Sequence, residues 1–187
     1  MIRVLIVEDD LFWQDQLRHE LGDEPDIDVL ATVSGKDEAL QFIQQHPTDV
    51  VLMDINLTAN NLDGIEATRM IVRLMSERTK VIMLTSLHQS DIIVDSFRNG
   101  AINYITKSNY AHLVAAIREA DQGKASIHAD VADAVRNELK LSILTPMERE
   151  VYQMKAQGFN KFQIAEKLFK SVNTIKSQLK SIRDKLR

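Results

Sequence analysis

Short apolar runs alternate with amphipathic stretches through the first two thirds of the chain. Ile2 to Val7 is a β-branched run, followed by Glu8-Asp9-Asp10 and a helical pattern marked by Leu11, Phe12, Leu17 and Leu21. Val29 to Val33 reads as a second strand, and Ala39, Leu40, Phe42 and Ile43 mark a second helix. Val50-Val51-Leu52-Met53 has the unbroken apolar character of a strand buried on both faces, and it stops at Asp54. Ile65, Met70, Ile71 and Leu74 predict a third helix. Val81 to Leu84 predicts a strand ending in Thr85-Ser86, and Ile92 to Phe97 a helix closed by Asn99-Gly100. Ile102 to Thr106 is a fifth strand ending at Lys107, and Tyr110 to Ala120 a fifth helix closing near Gly123. Five strands alternating with five helices predict a doubly wound α/β domain over residues 1–123.

The pattern then changes. Residues 124–143 carry Ala129, Val131, Ala132, Val135 and Leu139 at helical spacing, which predicts an amphipathic linker helix. Residues 144–187 are punctuated by caps. Thr145-Pro146-Met147-Glu148 has the form of a capping box with Pro at the first helical position. Gly158 ends that helix, Asn160 with Gln163 repeats the box, and Ser171 caps a third helix. On the third helix Ile175, Leu179, Ile182 and Leu186 form an apolar stripe, with Lys176, Lys180, Arg183 and Arg187 beside it. Two short helices joined by a tight turn, the second with a basic face, predict a small all-α helix-turn-helix domain.

Charge sharpens this division. The formal net charge of −4 is −10 over residues 1–123 and +6 over residues 124–187. An acidic first part and a basic second part imply different partners, the basic one suited to a polyanion. Cysteine is absent, which excludes disulfides and thiolate metal sites, and no stretch is long and apolar enough for a membrane span. A cytoplasmic protein is expected.

Parallel strands would place Glu8, Asp9, Asp54, Thr85 and Lys107 at one edge of the sheet, where open α/β sheets bind ligands. Crowded carboxylates repel one another unless a cation neutralises them, and hard oxygen donors of this kind suit Mg²⁺. A lysine and a hydroxyl beside such an ion are what phosphoryl oxygens require. The inferred chemistry is attack by an aspartate carboxylate on phosphorus, giving an acyl phosphate. The plainer alternative is an acidic rim with helix-capping aspartates, a role expected in any case for Asp10.

Val7-Glu8-Asp9-Asp10, Asp54-Ile55-Asn56, Thr85-Ser86 and Tyr104-Ile105-Thr106-Lys107 resemble the signature of the receiver domain of bacterial response regulators, a five-stranded flavodoxin-like fold. The resemblance implies that Asp54 accepts a phosphoryl group from a partner histidine kinase or a small acyl phosphate. It implies that Asp9 and Asp54 bind Mg²⁺ through their side chains, Asn56 through its backbone carbonyl, and Glu8 nearby or through water. Lys107 would pair with the acyl phosphate, and Thr85 and Tyr104 would act as the switch. The sequence departs from the family after the acceptor. Gly64 lies ten positions beyond Asp54 where eight is usual, and Thr58 stands where Pro is usual. Metal geometry and acyl-phosphate lifetime are the properties this longer loop bears on.

Leu144 to Val151, Asn160 to Leu168 and Val172-Asn173-Thr174-Ile175-Lys176 resemble the LuxR/NarL-type helix-turn-helix. That implies a transcription factor bound to double-stranded DNA, with Lys176, Ser177 and Lys180 at base-contacting positions and Thr174, Lys170 and Arg183 serving the backbone. The family usually continues with a fourth helix that pairs two protomers, whereas this sequence stops at Arg187. Either the sequence is truncated or dimerisation rests on the receiver and linker, and the expectation is that the receiver carries homodimer contacts on activation. The combined expectation is a phosphorylation-controlled, DNA-binding transcriptional regulator that promotes only its own aspartyl phosphorylation and dephosphorylation. The alternative is a phosphorylation-dependent protein-interaction switch without sequence-specific DNA binding.

Overall fold

The computed structural model describes residues 1–58, 62–76, 78–125, 127 and 129–187. The chain divides into two compact units, Met1–Ala134 and Val135–Arg187. In the first, β1 (Ile2–Val7), β2 (Ile27–Val33), β3 (Val50–Met53), β4 (Lys80–Thr85) and β5 (Asn103–Thr106) form one parallel sheet in the order β2-β1-β3-β4-β5. The helices between them are α1 (Leu11–Gly22), α2 (Lys36–Gln45), α3 (Asp63–Met75) and α4 (Ser90–Arg98), with α5 (Leu113–Asp121) after β5.

Alternation along the strands decides which side chains meet which layer. Val4, Ile6, Val50, Leu52, Ile82, Leu84 and Ile105 pack with Leu17 and Leu21 of α1 and with Leu113, Ala116, Ile117 and Ala120 of α5. Their neighbours in sequence, Leu5, Met53 and Met83 among them, are equally buried. On that side lies α3, whose Thr68 hydroxyl donates to Met83 Sδ at 3.4 Å. Both faces of the sheet are thus covered, as the unbroken apolar run of β3 requires.

Two expectations need correction. Leu11 and Phe12 do not help bury α1; they are 73% and 68% exposed. The buried positions are Gln14, Leu17 and Leu21, a three-and-four spacing that excludes residues 11 and 12. The fifth helix also begins later than Tyr110. Lys107–His112 is a 3₁₀ segment, with Asn109 off helical geometry, and the α-helix starts at Leu113.

The division into units falls within α6 (Ala129–Leu141), the helix read as a linker. The second unit continues with α7 (Pro146–Ala156), α8 (Lys161–Lys167) and α9 (Val172–Lys185). Both expected capping boxes form, Thr145 with Glu148 and Asn160 with Gln163, and Ser171 Oγ accepts from Thr174 N. Val151, Ile164, Ala165, Ile175 and Ile182 make the core. Two left-handed residues set the breaks: Gly158 (φ 93°) after α7, and Phe169 (φ 51°) between α8 and α9.

Candidate functional site

The carboxyl edge of the sheet collects the expected polar residues. Glu8 follows β1, Asp54 follows β3, Thr85 ends β4, and Lys107 follows β5. They line one open cleft of about 280 Å³ with Asp9, Asp10, Trp13, Asn56, Ser86 and Leu87. Asp9 is exposed and Asn56 half-buried, whereas Glu8, Asp54, Thr85 and Lys107 are all buried. Glu8, Asp9 and Asp54 each bring a carboxylate oxygen within 4.8 Å of the others. That donor set, all hard oxygen on one rim, fits a divalent cation such as Mg²⁺.

Lys107 sits between two of these acids. Its Nζ is 2.7 Å from Glu8 Oε2 and 2.8 Å from Asp54 Oδ2. Glu8 therefore meets the lysine directly. Burial and the neighbouring Asp54 charge push the Glu8 carboxyl up to about 7, although Lys107 pulls the other way. For Lys107, burial disfavours the charged form, but the bonds to Asp54 and Glu8 outweigh it and hold the ammonium above its ordinary value. One cation against three carboxylates leaves the rim electronegative, a field that draws in a further cation.

Local structure fixes Asp54. Its backbone N–H donates to Val7 O at 2.9 Å, and its Oδ1 accepts from Ile55 N at 2.6 Å, leaving Oδ2 turned to Lys107. The start of α3 presses on the same peptide. Gly64 N donates to Ile55 O at 2.9 Å, and a Cβ on Gly64 would lie 1.9 Å from Asp54 O. Only glycine fits there. The longer loop still delivers this glycine to the acceptor: Thr58 Oγ1 donates to Asp63 Oδ2 at 2.6 Å, and residues 59–61 lie outside the described part.

Thr85 and Tyr104 share a partner. Leu87 N donates to Thr85 Oγ1 at a long 3.5 Å, and the fully buried Tyr104 donates from its hydroxyl to Leu87 O at 2.9 Å. Trp13 was not singled out from the sequence. Its ring lies 5.2 Å from Lys107 Nζ, a contact that only folding creates. Asp10 does what was expected of it, capping α1 by accepting from Phe12 N and Trp13 N.

In the second unit Lys170, Thr174, Lys176, Ser177, Lys180 and Arg183 are all exposed. From Thr174 to Arg183 they lie on α9, whose buried side is Ile175 and Ile182. Thr174 Oγ1 is shared with Ser171 Oγ at 2.8 Å within the cap.

Residues 4–118 match the response regulator receiver domain, and residues 142–187 match the bacterial regulatory proteins of the luxR family. The chain belongs to the response regulators of the NarL/LuxR type, phosphorylation-regulated transcription regulators that bind DNA. It is 34% identical over 195 residues to transcriptional regulatory protein LiaR of Bacillus subtilis, covering 100% of this chain and 91% of that one. To oxygen regulatory protein NreC of Staphylococcus carnosus it is 28% identical, covering 99% and 91%. Among solved structures, RcsB from Salmonella enterica serovar Typhimurium, bound to promoter rprA with phosphomimetic BeF3−, shares the fold with a TM-score of 0.72. Its identity is 24%, covering 100% of this chain and 92% of that one.

Proposed function

We propose that Asp54 is the phospho-acceptor and that its phosphorylation governs DNA binding through the basic face of α9. The observation that carries the assignment is the Lys107–Asp54 ion pair at the carboxyl edge of the sheet, 2.8 Å long and buried. An Asp54 carboxylate oxygen attacks phosphorus, the P–N bond of a donor histidine or the P–O bond of an acyl phosphate breaks, and the leaving group takes the electron pair. Lys107, already held between Glu8 and Asp54, then pairs with a phosphoryl oxygen. Glu8, Asp9, Asp54 and the backbone carbonyl of Asn56 are the groups that would hold Mg²⁺, whose charge offsets that of the phosphoryl oxygens when bound. The donor in the cell is a partner histidine kinase, and the protein works in the cytoplasm. Beyond turning over its own aspartyl phosphate it is not an enzyme.

The switch runs through Leu87. Thr85 accepts from Leu87 N, and Tyr104 donates to Leu87 O. A Thr85 hydroxyl that turns toward a phosphoryl oxygen gives up the weaker of these bonds, and the segment held by Tyr104 is free to repack. This biases two copies to pair through the receiver, and a pair occupies two half-sites with the effective concentration that one module lacks. On DNA, Lys176, Ser177 and Lys180 face base edges, while Lys170, Thr174 and Arg183 serve phosphates.

The test is intact mass after incubation with acetyl phosphate and Mg²⁺. Wild type gains one phosphoryl group and Asp54→Asn gains none while keeping its circular dichroism spectrum. Labelling retained in Asp54→Asn contradicts the assignment.

A further inference from the structure

We propose that Trp13 is a positioning residue of the phosphorylation site: its indole aims the Lys107 ammonium at the aspartyl phosphate. The proposal rests on Asp54 as acceptor. Trp13 lines the cleft with Asp54 and Lys107, and its ring centroid lies 5.2 Å from Lys107 Nζ, within cation–π reach. The ammonium thus has three partners, two carboxylates at 2.7 and 2.8 Å and one aromatic ring. When a phosphoryl group takes the place of the Asp54 pair, the ring remains as a neutral support.

The indole is itself braced. Tyr110, in the 3₁₀ segment after Lys107, meets it edge-on at 5.8 Å, and Phe12 does the same at 5.8 Å. Its backbone is held by the Asp10 cap, and the next residue, Gln14, donates to Glu8 O at 2.6 Å and to Ser34 Oγ at 3.1 Å. The first turn of α1 is therefore tied to the same strand end that carries Glu8. Trp13 is half-buried and lines the cleft.

The experiment compares wild type, Trp13→Phe and Trp13→Leu in the full chain, each labelled with acetyl phosphate and Mg²⁺ and then freed of donor. Leucine keeps apolar bulk without a π face, so folding is retained while the cation–π contact is lost. Trp13→Leu is expected to shorten the acyl-phosphate half-life roughly threefold to tenfold, and Trp13→Phe to restore it to within about twofold of wild type. Half-lives equal in all three, or shortened alike in Phe and Leu, overturn the proposal. Trp13 is the only tryptophan in the chain, which gives a second readout. Its emission shifts when beryllofluoride and Mg²⁺ are added to wild type and not to Asp54→Asn; unchanged wild-type emission overturns the proposal. Failure of wild type to label, or labelling of Asp54→Asn, instead strikes at the acceptor assignment.

Discussion

Lys107 shows how single residues carry the site. Its ammonium bridges two buried carboxylates that would otherwise repel, while burial, and after it the Asp54 charge, raises the Glu8 carboxyl against the pull of the lysine. A buried pair stripped of one partner is strongly destabilised, so the lysine supports the fold as well as the proposed chemistry. Gly64 is the second case. A methyl group there would overlap the Asp54 carbonyl oxygen, so the Asp54 peptide or the start of α3 must move. Gly64→Ala is expected to lower stability by about 3 kcal/mol and to slow labelling by acetyl phosphate. Urea titration and the labelling rate check both, and a wild-type rate at wild-type stability contradicts the close packing. At this scale the sequence was uneven. Glu8, Asp54, Thr85 and Lys107 were legible because strand ends announce them. Trp13 was not, because its contact with Lys107 spans 94 positions and no local pattern encodes it. Gly64 was visible only as an odd spacing; the clash that demands glycine is a fact of three dimensions.

Elements were legible where chemistry marked their ends. The two capping boxes and the Ser171 cap appear as read, since a cap is a local hydrogen bond between near neighbours. Phase and continuity were less legible. Leu11 and Phe12 are apolar yet lie off the buried face of α1, and the turn after Lys107 winds as 3₁₀ before α5 begins. Glu148 did more than its box implied. Besides accepting from Thr145 N at 2.8 Å, it accepts from Ser181 Oγ and Lys185 Nζ, each at 2.6 Å, and so joins α7 to the end of α9. The Lys185 bond first, then those from Ser181 and Thr145, holds its carboxyl down to about 2, from an ordinary 4.5. A depressed folded-state value means the stabilisation is whole above the unfolded value and fades as the pH falls toward the folded one. Thermal unfolding of the second unit in the full chain should therefore lose stability between about pH 4.5 and 2, and Glu148→Gln should flatten that dependence. An identical pH profile in the variant contradicts the linkage.

The whole molecule couples an acidic unit that takes up phosphate to a basic unit that meets DNA. The charge asymmetry between its two parts was readable without a structure, and so was the alternation that gives a parallel sheet. The proposed pairing of copies is not, because it depends on a surface no single chain reveals. Exposed lysines and arginines that neutralise phosphates release counterions, so Arg183→Ala should weaken binding to all DNA alike and lower the slope of log affinity against log salt by about 1. Lys176→Ala should instead cost preference for the specific site. Fluorescence anisotropy across a salt series separates them, and an unchanged slope in Arg183→Ala removes it from the interface. The central claim is that phosphorylation of Asp54 controls DNA binding, and affinity for an operator selected from genomic DNA tests it most directly. Acetyl phosphate with Mg²⁺ should tighten binding by wild type and leave Asp54→Asn unchanged; equal affinity of wild type before and after labelling would contradict the account.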